Sequence, residues 1–121
     1  MIAIFFSLSQ EVASLKSQVN ILKKIRYANA VFYQAEFCGF PVTLVQTGVG
    51  KNVSEAIHQL STYFRIQLMV SSGFAGSVNP KVGVGDLVIG RRVLSSSRGV
   101  SEEGIPIDSA LPCDASAVDI A

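Results

Sequence analysis

An α/β sheet covered by helices on both faces is the fold class this sequence predicts, on three observations. Short apolar runs of strand length alternate with segments whose apolar residues recur at helical spacing. Two of the runs lead into Gly-rich loops, at Thr47-Gly48-Val49-Gly50 and Ser72-Gly73-Phe74-Ala75-Gly76. Hydrophobic residues make up 49% of the 121 positions and charged residues 16%, enough apolar material to bury a core. The order strand, helix, strand, strand, helix, strand, strand suits one layered sheet with right-handed connections between parallel strands.

Residues 2–6 are continuously apolar, as a strand covered on both faces would be. Ser7-x-x-Gln10 has the form of a capping box. Leu8, Val12, Leu15, Val19 and Leu22 then form one stripe at steps of four and three, predicting a helix through residue 22. Lys23-Lys24-Ile25-Arg26 would close it, with basic residues complementing the helix dipole. Residues 31–38 and 42–46 read as a hairpin turned at Gly39-Phe40-Pro41. Val53, Ala56, Ile57, Leu60 and Phe64 mark a second helix, and residues 66–70 a buried strand. Asn79-Pro80 and Gly83 mark turns, and residues 87–93 a further strand. From Ser95 the chain reads as a loop, then as a helix beginning with Asp114 as N-cap and reaching only about two turns.

The formal charge of +1 and the lack of a basic patch argue against a nucleic-acid partner. No apolar run is long enough to span a bilayer, and residues 1–6 lack the basic flank of a signal peptide, so a soluble cytoplasmic protein is expected. Cys38 and Cys113 have neither zinc-site spacing nor a neighbouring His; a disulfide between them stays open, and Cys38 reads as a small core residue. No Asp precedes Asp86, which opposes a phosphoacceptor receiver domain and a carboxylate-rich metal site in the first half.

Ligands of open α/β sheets bind beyond the carboxyl ends of strands. Three loops of this chain leave such ends, around Ser7 to Glu11, Thr47 to Lys51, and Ser71 to Gly76. Glu11, in the first turn of its helix, is either a general base toward water or simply an acidic residue favoured by the helix dipole. Thr47-Gly48-Val49-Gly50-Lys51 matches neither a P-loop nor a dinucleotide fingerprint; it is a tight turn or an anion-holding loop. Gly73-Phe74-Ala75-Gly76 allows close backbone approach, to a flat ligand or to a packed neighbour. His58 shares a polar helix face with Glu55, Gln59 and Thr62, and no Ser-His-Asp triad is supported.

These motifs, in this order, resemble the N-terminal half of methylthioadenosine/S-adenosylhomocysteine nucleosidases, within the purine nucleoside phosphorylase and uridine phosphorylase superfamily. Ile2-Ala3-Ile4 leading to Gln10-Glu11-Val12-Ala13 is similar to the start of that family. Thr47-Gly48-Val49-Gly50-Lys51 resembles its Ser/Thr-Gly-Ile-Gly-Lys loop, and Ser72-Gly73-Phe74-Ala75-Gly76 its Thr-Gly-Ser-Ala-Gly loop. Val82-Gly83-Val84-Gly85-Asp86-Leu87-Val88 resembles the strand after it. The resemblance covers residues 1–95, which it implies are the N-terminal part of a nucleoside-phosphorylase-like domain, a mixed sheet flanked by helices; residues 96–121 are then a loop and the start of a truncated helix.

The implied chemistry is N-glycosidic cleavage of a purine nucleoside, without metal or cofactor. Glu11 would activate water. Ser7 and Leu8 would border ribose and base, Val49 the 5′ substituent, and Phe74, Ala75 and Gly76 the nucleophile and purine. Homo-oligomers are the family's expected assembly, with a small nucleoside as partner and no membrane. Two departures bear on substrate: Leu8 stands where Met is common, and Phe74 where Ser is common and would crowd the nucleophile site. The family's Met-Glu pair for ribose hydroxyls and Ser-Asp pair for the purine do not appear in residues 96–121, so the chain alone is expected to be nearly inactive. Phosphorolysis, a non-catalytic ligand-binding or interaction remnant of the same fold, and a flavodoxin-like mononucleotide binder are the alternatives.

Overall fold

The computed structural model describes residues 1–50, 52–96 and 107–120. They form two compact units, Met1–Gly76 and Ser77–Ala121.

The first unit runs β1 (Ile2–Phe6), α1 (Ser9–Lys16), β2 (Asn20–Tyr27), β3 (Ala30–Phe37), β4 (Phe40–Gln46), α2 (Asn52–Tyr63) and β5 (Leu68–Ser71). Its five-stranded mixed sheet has the order β2-β3-β4-β1-β5. β1 lies between β4 and β5, parallel to both, while β2, β3 and β4 form an antiparallel meander. Alternation along the strands divides the core into two layers. Ala3, Phe5, Ala30, Phe32 and Val45 pack with Ala56 and Leu60 of α2. On the opposite face Phe6, Tyr33 and Leu44 pack with Val12 of α1. Sheet and helices thus follow the predicted class, with a mixed ladder and a helix on each face.

The first helix is shorter than its apolar stripe predicts. It stops at Lys16, where Ser17 Oγ bonds back to the Ser14 carbonyl at 2.6 Å and the Gln18 N–H reaches the Leu15 carbonyl. Leu22 and the basic run Lys23-Lys24-Ile25-Arg26 lie in β2 instead. Pairing with β3 along residues 20–27 outweighs the helical spacing. Among the described residues β2 is a sheet edge, and lysines there oppose edge-to-edge pairing with another chain. The Lys16 and Lys24 ammonium groups also sit over the Tyr33 ring, at 4.4 and 5.6 Å from its centroid.

Three further expectations are corrected. Cys38 is exposed at the β3–β4 turn with φ 50°, because the hairpin reverses there. β5 is an edge strand, only half-buried at Leu68 and open beyond it, because β1 alone pairs with it among the described residues. The segment 87–93 enters a strand only at its end: in the second unit β6 (Arg92–Ser95) pairs antiparallel with β7 (Ser109–Pro112), and Leu87, Val88 and Ile89 have no ladder partner among the described residues and are exposed. The terminal helix α3 (Ala115–Ile120) forms, with Asp114 Oδ1 accepting the Ala117 N–H at 3.2 Å as its N-cap. The expected loop over residues 97–106 lies outside the described residues. No helix among the described residues is long and apolar enough to cross a membrane.

Ala28, at the β2–β3 turn, takes φ 49°, a left-handed conformation that costs a residue with a Cβ about 1–2 kcal/mol. Ala28→Gly is expected to stabilise the fold by up to about 1 kcal/mol after the entropy of glycine is subtracted. A rise in the urea midpoint at constant slope would show it.

Candidate active site

The site forms where three adjacent parallel strands end. Because β4, β1 and β5 are neighbours, the loops after Gln46, Phe6 and Ser71 leave the same edge of the sheet. Two backbone bonds hold their bases together. The Thr47 N–H donates to the Phe6 carbonyl at 2.9 Å, and the Ser72 N–H to the Phe5 carbonyl at 2.9 Å. Thr47 is itself buried, and its hydroxyl adds bonds to the Phe6 and Gly48 carbonyls at 3.2 and 3.0 Å. That threonine was legible in sequence only as the first residue of a loop.

Glu11 stands over this junction, half-buried in the first turn of α1. Its Oε2 accepts the Leu8 N–H at 2.8 Å and the Ser7 N–H at 3.0 Å. Its Oε1 accepts the Phe74 N–H at 3.1 Å, from the loop after β5. Helix capping therefore falls to Glu11, reaching back to the chain before the helix, and not to the Ser7–Gln10 pair of the sequence pattern. Ser7 and Gln10 are exposed.

Three N–H donors on one carboxylate favour its charged form. The Leu8 N–H contributes most, then that of Phe74; partial desolvation opposes them, and the Ser7 N–H adds to them, so the Glu11 carboxyl is held below its ordinary 4.5. Glu11 is thus an anion at neutral pH. An ionised carboxylate offers about four acceptor positions. Among the described residues three are filled by these amides, and the fourth, on Oε1, has the geometry to take a water or a hydroxyl.

The lowered pKa fixes a sign for stability. A group depressed on folding stabilises the fold above its unfolded pKa, and that stability is lost as pH falls through the folded value. The excess urea midpoint of the parent over Glu11→Gln is therefore expected to be full at pH 6 and to shrink as pH falls below about 4.5. A difference constant from pH 6 to pH 3 would contradict it.

Of the residues singled out in the sequence, the structure gathers Ser7, Leu8, Glu11 and Phe74. All three partners of Glu11 contribute backbone N–H groups. The Phe74 side chain points outward, 77% exposed. Val49 stands at the end of the neighbouring strand and is exposed, as are Ala75 and Gly76, and none of these bonds to the carboxylate. Lys51 lies outside the described residues. His58 is exposed on α2. Sequence reasoning missed Gly73: a Cβ built there would lie 2.7 Å from Glu11 Oε1. The small residue was legible, but the neighbour it admits is Glu11. A separate apolar trough of about 420 Å³ lies between α2 and the β2–β3 ribbon, lined by residues such as Ile25, Phe32, Leu60 and Tyr63, and includes none of the residues around Glu11. No cluster of His, Cys, Asp and Glu suited to a metal ion occurs among the described residues.

The family model described as the phosphorylase superfamily matches residues 1–121. The chain belongs to the phosphorylase superfamily. Among curated relatives, the 5′-methylthioadenosine/S-adenosylhomocysteine nucleosidase of Staphylococcus saprophyticus is 36% identical over 90 residues, 74% of this chain and 40% of its own length. The nucleosidase of the same name from Listeria innocua is 28% identical over 104 residues, 85% of this chain and 45% of its own. The phosphorylase-superfamily chain thus spans less than half the length of these relatives. Among solved structures, a Colwellia psychrerythraea nucleosidase in complex with adenine superposes with TM-score 0.81 at 26% identity, covering 98% of this chain and 52% of that one. A Helicobacter pylori futalosine hydrolase superposes with TM-score 0.77 at 18% identity, covering 98% and 55%, a likeness of fold alone.

Proposed function

We propose that this chain carries the water-activating portion of a purine-nucleoside N-glycosidase acting on adenosine thioethers. The observation that carries the reading is the Glu11 carboxylate, ionised and fixed by amides from two different loops at the strand-end junction. The reading is supported by relatives that are nucleosidases of this type.

In the proposed reaction the bond between C1′ of ribose and the purine nitrogen breaks, leaving an oxocarbenium-like sugar. A fixed anion beside that sugar offsets its charge without reorganising. Water held on the free Oε1 position forms the new C1′–O bond and passes a proton to Glu11. The depressed pKa makes Glu11 a weak base, which suits an electrophile as strong as an oxocarbenium ion. The departing purine nitrogen takes its proton from a carboxylic acid that, in this proposal, the C-terminal part of the relative contributes in the chimera described below. Ser7 and Leu8 would border ribose and base, Val49 the 5′ thioether, and Phe74, Ala75 and Gly76 the water and purine. Homo-oligomerisation completes the proposal.

Phosphorolysis is the second reading, and the charge on Glu11 weighs against it because it repels phosphate. The test is a chimera in which this chain supplies the N-terminal part and the Staphylococcus saprophyticus relative the remainder. It is expected to release adenine from methylthioadenosine, while the 121-residue chain alone releases almost none. A folded chimera without adenine release would refute the reading.

A further inference from the structure

The geometry points to Gly73 as a positioning residue whose bare Cα seats the Glu11 carboxylate, so that any side chain there drives the carboxylate off the Phe74 N–H. The inference deepens the proposed role of Glu11 and rests on it for its bearing on catalysis. Gly73 follows β5, whose register on β1 pairs Ser71 with Phe5. The Ser72 N–H bond to the Phe5 carbonyl carries that register one residue further. The backbone entering Gly73 is therefore pinned.

A Cβ at this position would meet Glu11 Oε1 at 2.7 Å, Cδ at 3.1 Å and Oε2 at 3.5 Å. Real Cβ atoms do not approach an oxygen as closely as the first of these, so one side must yield. The atoms in the way belong to the end of a flexible side chain, whereas the opposing backbone is bonded into the sheet. The carboxylate yields, and the strand stays. Its movement breaks the one bond that links Glu11 to the β5 loop, from the Phe74 N–H to Oε1. The bonds from Ser7 and Leu8 are local to α1 and do not depend on Gly73. Glycine at 73 thus decides whether Glu11 spans both loops or caps its own helix only. A misplacement of about 1 Å in a catalytic group can cost roughly 10²-fold in rate.

The test is a pH titration of the 121-residue chain by NMR, following the Glu11 carboxyl carbon and the Phe74 amide proton. In the parent, both are expected to titrate together with a midpoint below 4.5. In Gly73→Ala the carboxyl midpoint is expected to rise toward 4.5, and the Phe74 amide to stop following it. Gly90→Ala, where a Cβ meets nothing within 4 Å, should leave both unchanged. A Gly73→Ala chain that keeps the parent midpoint and the linked Phe74 amide would overturn the inference. Should Gly73→Ala fail to fold, the double variant Glu11→Ala/Gly73→Ala decides: it is expected to keep the urea midpoint of Glu11→Ala, and a double variant that also fails to fold overturns the inference. None of these readouts uses a nucleoside, so a failure of the proposed activity and a failure of the seating role are separate results. In an active chimera, Gly73→Ala should lower kcat by roughly 10²-fold with little change in KM.

Discussion

Glu11→Gln in the active chimera is expected to slow adenine release about 10²–10⁴-fold, the usual contribution of a positioned acid or base. Two losses combine. Glutamine has no charge to set against the oxocarbenium-like sugar and no basic oxygen to receive the proton of the attacking water. It also has one acceptor oxygen where Glu11 has two. The Leu8 and Ser7 N–H groups point at Oε2 and the Phe74 N–H at Oε1, so a glutamine amide must turn its own NH2 toward one of these donors. KM should change little, because the lost interaction is with the transition state. Glu11→Asp keeps the charge but is one methylene shorter, and should fall between parent and glutamine variant. Steady-state release of adenine checks all three, and a glutamine variant within about threefold of the parent would remove Glu11 from the chemistry.

Leu44→Ala is expected to destabilise the protein by about 2–5 kcal/mol, the range for emptying a buried leucine site. Leu44 is fully buried in β4. Its ladder partners are Tyr33 in β3 and Ile4 in β1, so it is walled in by the strands on either side. It packs in the layer that holds Val12, the residue after Glu11 in α1. Against a total stability of about 5–15 kcal/mol for a domain, that loss is a large fraction. Urea unfolding of the 121-residue chain measures it. A change under 1 kcal/mol would mean that the layer beneath α1 is not packed as described, and with it the seat of Glu11.

Sequence legibility followed the range of the interactions. The hairpin of β3 and β4 could be read because Gly39 and the flanking runs are local signals and it is closed by neighbours in sequence. Its turn is tighter than Gly39-Phe40-Pro41 suggests: the chain reverses at Cys38-Gly39, and Phe40 and Pro41 already pair with Phe37 and Glu36. α2 could be read because Ala56 and Leu60 lie at helical spacing and are buried. β2 could not, because Leu15, Val19 and Leu22 continue the spacing of α1, while what makes residues 20–27 a strand is the ladder to β3. The extent of β6 depended likewise on its pairing with β7, residues 109–112.

The site shows the same division. Glu11 was a candidate because an acidic residue in a first helical turn after a strand sits near the strand end. The family resemblance implies a chemical role for that position, which the proposed function takes up. The Phe74 N–H that completes the clamp comes from 63 residues away and arrives only because β5 adds to β1 in register. No periodicity announces such a bond. The same holds for Gly73, whose smallness was visible but whose neighbour was not.

The measurement that bears most directly on the account is the fate of oxygen from solvent. The chimera, given methylthioadenosine in 18O-labelled water with inorganic phosphate also present, is expected to yield free adenine and a sugar carrying one 18O at C1. Glu11→Gln should lose that product in proportion to its rate. A sugar 1-phosphate without label, formed at a rate that rises with phosphate, would contradict the central claim that Glu11 directs water to the sugar.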